Sequence, residues 1–420
     1  MFFKIQNAFD SHCHFLATGQ VAAGLSLKNL NSPQDVKHLK IQPHHFQGKW
    51  LVGFGWDQNQ WEQSQFPTQK ILDEVFPNTP VIFSRADGHA SWLNSAAASE
   101  LNLSADFKGV LFDNQHIEAL MTLPPHTIAQ NKNFAEISQK LFNKGGFTHV
   151  RDLSMTWSTW QMLSQMSEKN ELSVCVESFV TAENANDITR VLAEIKQMQQ
   201  APNPQLCIQG VKLFLDGSLG SKTAYLSKNY LESDSNGQLS WDLNDVKQVM
   251  MQTWQQGLEF AVHTIGDEAV HQVVKMAREI SAAGVLGRLH LEHVQIIRPE
   301  TIQLMKPLHV TCHMQPCHWL SDHSWLKKVL PPELLRNSFS WEALRKNKIP
   351  LQFGSDSPIE VASLVDNKKA LLESAKAGWP ALNDDWIKYH QHPNASWTKS
   401  WTELSEEKIQ QVYFEGEPLL

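Results

Sequence analysis

Eight short runs rich in β-branched and aromatic residues, each ending in Gly, Asp, His or Ser, set the tightest limit on how this chain can fold. They are NAFDSHCH, GGFTHVRDL, LSVCVESFV, QGVKLFLDGS, LEFAVHTIGD, GRLHLEHVQ, LHVTCHMQP and IPLQFGSDSP. Helical stretches follow them, with apolar residues at helical spacing over 242–257, 266–283 and 297–306. Strands alternating with helices imply a parallel sheet, and eight is the number that closes into a (β/α)8 TIM barrel. In such a barrel the strand ends carry the chemistry.

Beyond residue 145 the runs recur at roughly 25 to 50 residues, as a βα repeat needs. The first interval is about 130 residues, too many for one loop and helix. Residues 20–140 therefore read as an insertion after the first strand, expected to roof the active site, with WLVGFGWDQNQW and PVIFSRADGHASWLN as folded pieces. Residues 1–19 then hold the first barrel strand and an N-terminal remnant, 141–365 the rest of the barrel, and 366–420 a tail with a residual β-strand.

A formal net charge of −8 and the lack of any Lys/Arg run argue against a nucleic-acid partner. No stretch approaches the roughly 18 apolar residues of a membrane span. The N-terminus MFFKIQNAFDSH has no basic region followed by a long apolar run, and the five cysteines show no CxxC spacing. Reduced thiols in a cytoplasmic protein are expected. Nineteen histidines raise the prior on a metal site, since neutral imidazole is the commonest protein metal ligand. Among fifteen tryptophans, Trp56, Trp61 and Trp92 of the insertion suggest a ligand with an organic, aromatic substituent.

His12 and His14 end the first run two residues apart, so both side chains face one way, toward the barrel mouth. His263, His293 and Asp356 each sit where an apolar run gives way to a loop; singly, each could be a core histidine or a helix cap. His290, three residues from His293, is expected to point away from the barrel interior. Lys212 lies inside the apolar VKLFLDGS, where burial would depress its pKa and leave a neutral amine able to take up carbon dioxide as a carbamate. The competing reading pairs Lys212 with a buried Asp such as Asp216. DGSLGS lacks the GK[ST] ending of a phosphate loop and reads as a tight turn beside the site.

The ordered motifs DSHCH, VKLFLDGSLGSKTA, VHTIGD, LEHVQ and FGSDSPIE resemble the amidohydrolase superfamily. More narrowly they resemble its YtcJ-like branch, which includes N-substituted formamide deformylases; GWDQNQW, RADGHASWLNSAA and GGFTHVRD match that branch's spacing. The resemblance runs from about residue 8 to 361 and implies a metal set of His12, His14, Lys212, His263, His293 and Asp356, with Lys212 carboxylated. It implies one or two divalent ions, most simply zinc, and hydrolysis of an amide-type C–N bond by metal-activated water with Asp356 as general base and acid. His89, Gln315 and His318 are candidates for electrostatic help to substrate, and Trp56 for substrate contact. The family's accessory β-sandwich is expected to be reduced or absent, with MFFKI and QQVYFEG as a two-stranded remnant. A small-molecule substrate follows, without nucleic acid or membrane, and a homodimer is one option for the assembly. The alternatives are a deaminase of the same superfamily and a metal-binding barrel without catalysis.

Overall fold

Parallel strands wrapped by helices are buried on both faces, and all eight predicted runs form such strands. The computed structural model describes residues 3–379, 382, 386–394, 399–405 and 407–419. The barrel strands are β1 (Phe9–Cys13), β2 (His149–Asp152), β3 (Cys175–Thr181), β4 (Leu206–Phe214), β5 (Glu259–Thr264), β6 (Arg288–His293), β7 (His309–Met314) and β8 (Leu351–Phe353). Each pairs in parallel with its neighbour in chain order. Just beyond β1 and β8 the ring is drawn together: Cys13 bridges Ser357, and the Asp356 N–H donates to the His12 carbonyl at 2.7 Å. Only glycine fits at position 354, since a Cβ there would stand 2.4 Å from the His12 nitrogen.

Two compact units are present, Met1–Thr18 with Lys132–Leu420 and Gly19–Asn131. In the first, the strands send apolar residues outward to the helices: Val211 and Leu213 of β4, Phe260 and Val262 of β5, Leu289 and Leu291 of β6. The predicted helical segments form Leu243–Gln255, Asp267–Ala282 and Pro299–Met305, the first capped by Asp242 accepting from the Asn244 N–H. The helix Ile128–Lys144 belongs largely to this unit, with Phe134, Ala135 and Phe142 buried and the Ser138 hydroxyl on the Phe15 carbonyl. The boundary expected at residue 140 therefore falls inside a helix.

The inward faces of the strands carry polar groups. Arg151 of β2 is fully buried, with its Nη1 2.9 Å from Glu292 and 3.2 Å from the Ser11 carbonyl, and its guanidinium 4.3 Å over the Phe179 ring. Removing the Glu292 carboxylate beside such a charge typically costs about 3–5 kcal/mol, because the partner is left buried and uncompensated. His290 belongs to this interior, with Nδ1 2.8 Å from His313 and Nε2 2.7 Å from Glu259, which corrects the expectation that it points outward. Counting back from His293 misleads because His293 has φ 70 and breaks the alternation.

The termini contribute more than a two-stranded remnant. Phe3–Gln6 pairs antiparallel with Trp401–Leu404, which pairs with Ile409–Phe414, which pairs with Glu417–Pro418. The strand in MFFKI thus meets QQVYF only through an intervening strand, and the first two residues of MFFKI lie outside the described residues. This sheet is tied to the barrel by the Thr402 hydroxyl on the Gly146 carbonyl at 2.7 Å.

The second unit is built on a mixed sheet whose long strands are Trp50–Trp56 and Val81–Arg85. Trp56, Trp61 and Trp92 pack with Phe83 in its core, and their indole N–H groups donate to the carbonyls of Phe83, Leu30 and Thr68. Among the described residues no helix is long and apolar enough to cross a membrane.

Candidate metal centre

The C-terminal ends of β1, β5, β6 and β8 bring four imidazoles and one carboxylate together. The Asp356 Oδ1 lies 3.2 Å from His12 Nε2 and 3.5 Å from His14 Nε2, and its Oδ2 lies 3.8 Å from His293 Nδ1 and 3.6 Å from His318 Nε2. Donor atoms of His12, His14 and Asp356 fall within 4.8 Å of one another, as do those of His293, His318 and Asp356. The His293 ring centroid stands 4.6 Å from that of His12 and 4.5 Å from that of His263.

Hydrogen bonding fixes which nitrogen of each ring carries the proton. His12 Nδ1 donates to Glu292 at 2.6 Å, leaving the Nε2 lone pair toward Asp356. His14 Nδ1 lies 3.2 Å from the Ser154 hydroxyl, which itself donates to Asp152 and so accepts from the imidazole. His293 Nδ1 donates to the Gln315 carbonyl oxygen at 2.9 Å, and His263 Nε2 to the Gly217 carbonyl at 3.1 Å. In each of these four rings one nitrogen is engaged by an acceptor and the other is left for a ligand, the arrangement in which a neutral imidazole holds a metal. His318 is set the other way: the Gln295 amide donates to its Nδ1, so the proton sits on Nε2, facing Asp356. That orientation suits a hydrogen-bond donor.

Burial alone would raise the Asp356 carboxyl, but His12, then His14 and His293, hold it well below the usual carboxylate range. In return, Asp356 and Glu292 raise the His12 imidazole above its ordinary value against the effect of burial. Burial pushes the His293 imidazole well below its ordinary value and keeps it neutral. Lys212 is completely buried, its Nζ has no hydrogen-bond partner, and burial lowers its pKa to about 8. The competing pairing with Asp216 does not form, because that carboxylate accepts from the backbone N–H groups of Ile265, Gly266 and Tyr225. An orphaned buried amine beside imidazoles and a carboxylate fits a divalent cation held with a carbamate.

His293 and Asp356 both adopt positive φ, 70 and 56, a left-handed conformation uncommon for non-glycine residues. Sequence reasoning missed Glu292 and Phe214. The Phe214 ring lies against Lys212 Nζ at 4.5 Å and has the rings of His14 and His263 at 6.3 and 5.5 Å, so this half-buried aromatic lines the centre.

The other predicted contacts are placed differently. Gln315 accepts from His293 Nδ1 and donates to the His313 carbonyl. Trp56 is fully buried in the core of its own unit, which corrects the expectation of a substrate contact and removes the support the tryptophans lent to an aromatic substrate. His89 lies in that unit too, its Nδ1 2.9 Å from Asp113. A cavity of about 1020 Å³ opens at the opposite end of the barrel, among the strand starts at Leu206, Glu259, Arg288 and Leu351. Donor chemistry, not volume, therefore identifies the site.

An eight-stranded parallel barrel with histidines, a lysine and an aspartate at its strand ends defines the class of barrel hydrolases that work through bound metal. The amidohydrolase family profile matches residues 9–367, and the chain belongs to that family. It is 26% identical over 407 residues to "Putative amidohydrolase YtcJ" of Bacillus subtilis, covering 89% of this chain and 74% of that protein. It is 26% identical over 390 residues to "Protein LONG AFTER FAR-RED 3" of Arabidopsis thaliana, covering 84% and 66%. An uncharacterized metal-dependent hydrolase from Pyrococcus horikoshii shares the fold at a TM-score of 0.69 and 25% identity, over 93% of this chain and 77% of that one. A second, from Pyrococcus furiosus, gives 0.66 and 25%, over 88% and 77%.

Proposed function

We propose that the chain is a metal-dependent hydrolase of an amide-type C–N bond, with His12, His14, Lys212, His263, His293 and Asp356 holding one or two divalent ions, zinc in the simplest case. The observation that carries this reading is the Asp356 carboxylate shared by His12, His14 and His293, with the His263 ring against that of His293 and each imidazole tied to an acceptor through one nitrogen. Lys212, unpartnered and partly neutral near pH 8, supports a carbamate formed from its amine and carbon dioxide with release of a proton. The same feature favours this reading over the deaminase alternative.

Bound among these donors, a divalent cation would make water acidic enough to ionise near neutrality and would polarise a substrate carbonyl. Asp356, kept ionised by its imidazole neighbours, takes the proton from the attacking water and delivers it to the leaving nitrogen. The Nε2–H of His318 is a donor for the charge that develops on the carbonyl oxygen. Phe214 supplies an apolar wall that keeps bulk water from Lys212.

The test is a screen of zinc- and bicarbonate-treated protein against N-formyl and N-acyl amides, with ring amines alongside. Release of amine from an amide, lowered about 10²–10⁴-fold in kcat by Asp356→Asn, is the expected result. Turnover confined to ring C–NH2 groups, or an Asp356→Asn protein within threefold of the parent, would contradict it.

A further inference from the structure

We infer that Glu292 is a positioning residue for the metal centre, locking His12 in the tautomer that presents Nε2 to the site, with Arg151 holding Glu292 in place. Glu292 and Arg151 are both fully buried. The carboxylate uses its two oxygens separately: Oε2 accepts from His12 Nδ1 at 2.6 Å and Oε1 accepts from Arg151 Nη1 at 2.9 Å. Arg151 is itself fixed by the Ser11 carbonyl, by Glu177 at 3.3 Å and by the face of Phe179. His12 therefore stands at the end of a chain of groups with no freedom to turn.

The strain at His293 gains a reason from this. Alternation would send Glu292 and His293 to opposite faces of β6, so one strand end could supply a ligand or a support, but not both. The left-handed backbone at His293 lets Glu292 keep the inward position while His293 also turns to the centre. One dipeptide thus provides a ligand and the group that aims the ligand of another strand. A carboxylate on the far nitrogen of a ligating imidazole also raises its basicity, and losing such a partner typically weakens metal affinity about 10- to 100-fold.

The inference rests on the metal-site reading, and the experiment separates the two. Glutamine at 292 has one carbonyl oxygen for two donors, so Glu292→Gln must abandon either His12 or Arg151. Full-length metal-free protein with ¹⁵N-labelled histidine is examined by NMR, the His12 signal being assigned by its loss in His12→Asn, and zinc affinity is measured by chelator competition. The expected results, at a pH high enough for His12 to be neutral, are an Nδ1–H tautomer for His12 in the wild type, a mixed or Nε2–H tautomer in Glu292→Gln, and zinc affinity about 10- to 100-fold weaker in that variant. A wild-type His12 carrying its proton on Nε2 overturns the inference without any variant, which keeps the test decisive if Glu292→Gln does not fold. Unchanged zinc affinity in a folded Glu292→Gln overturns the positioning role alone, and a wild-type protein that binds no zinc overturns the metal-site reading with it.

Discussion

Lys212→Met should make the metal-free protein more stable at neutral pH while emptying the site of metal. The lysine is buried without a hydrogen-bond partner, and burial drops its pKa from 10.5 to about 8. The native state therefore binds fewer protons than the unfolded chain between these values, so stability rises with pH across that window. Below about pH 8 the ammonium is carried into the core at a cost of about 3 kcal/mol, taking 1.36 kcal/mol for each tenfold change in the protonation equilibrium. Methionine has a similar length, no charge and no polar atom needing a partner. Urea unfolding of both proteins, in chelator and in buffers freed of carbon dioxide, should favour Lys212→Met by about 3 kcal/mol at pH 7 and by roughly 1 kcal/mol at pH 9.5. A variant less stable than wild type at pH 7, or a gap that widens with pH, would refute the picture of an uncompensated buried amine.

Other substitutions probe separate parts of the structure. Trp56→Ala should cost about 3–5 kcal/mol by emptying the tryptophan core of the Gly19–Asn131 unit, seen as faster proteolysis there with zinc content unchanged. Trp56→Phe should leave KM where it is, and a large rise in KM would restore a substrate contact. Gly354→Ala places a methyl 2.4 Å from the His12 nitrogen and should force β8 from β1, lowering bound zinc to below about half of the wild-type amount; full loading would show that the contact is readily relieved.

The barrel was legible because outward-facing Val, Leu and Ile on strands such as β4 to β6 meet helices, so the strands read as apolar runs broken by the chemistry at their ends. The cluster of candidate ligands was legible for the same reason, since a histidine, a lysine or an aspartate inside such a run has no packing role to explain it. What stayed hidden depends on backbone angle and on long-range pairing. Nothing local to Glu292-His293 announces a left-handed residue, and without it strand alternation misassigns His290 and makes Glu292 an outward group. Glu292 meets Arg151 and His12 across 141 and 280 residues of chain, beyond any spacing rule. The tryptophans of the insertion looked like pocket residues because aromatic content alone does not separate a binding surface from a small core, whereas their indole N–H bonds to backbone carbonyls do.

The most direct test of the central claim is elemental analysis of protein purified without chelator, beside Lys212→Ala and the double variant His12→Asn/His14→Asn. About one or two equivalents of divalent metal in the wild type, with clear loss in both variants, is the predicted result. No bound metal in the wild type, even after supply of zinc and bicarbonate, would contradict it.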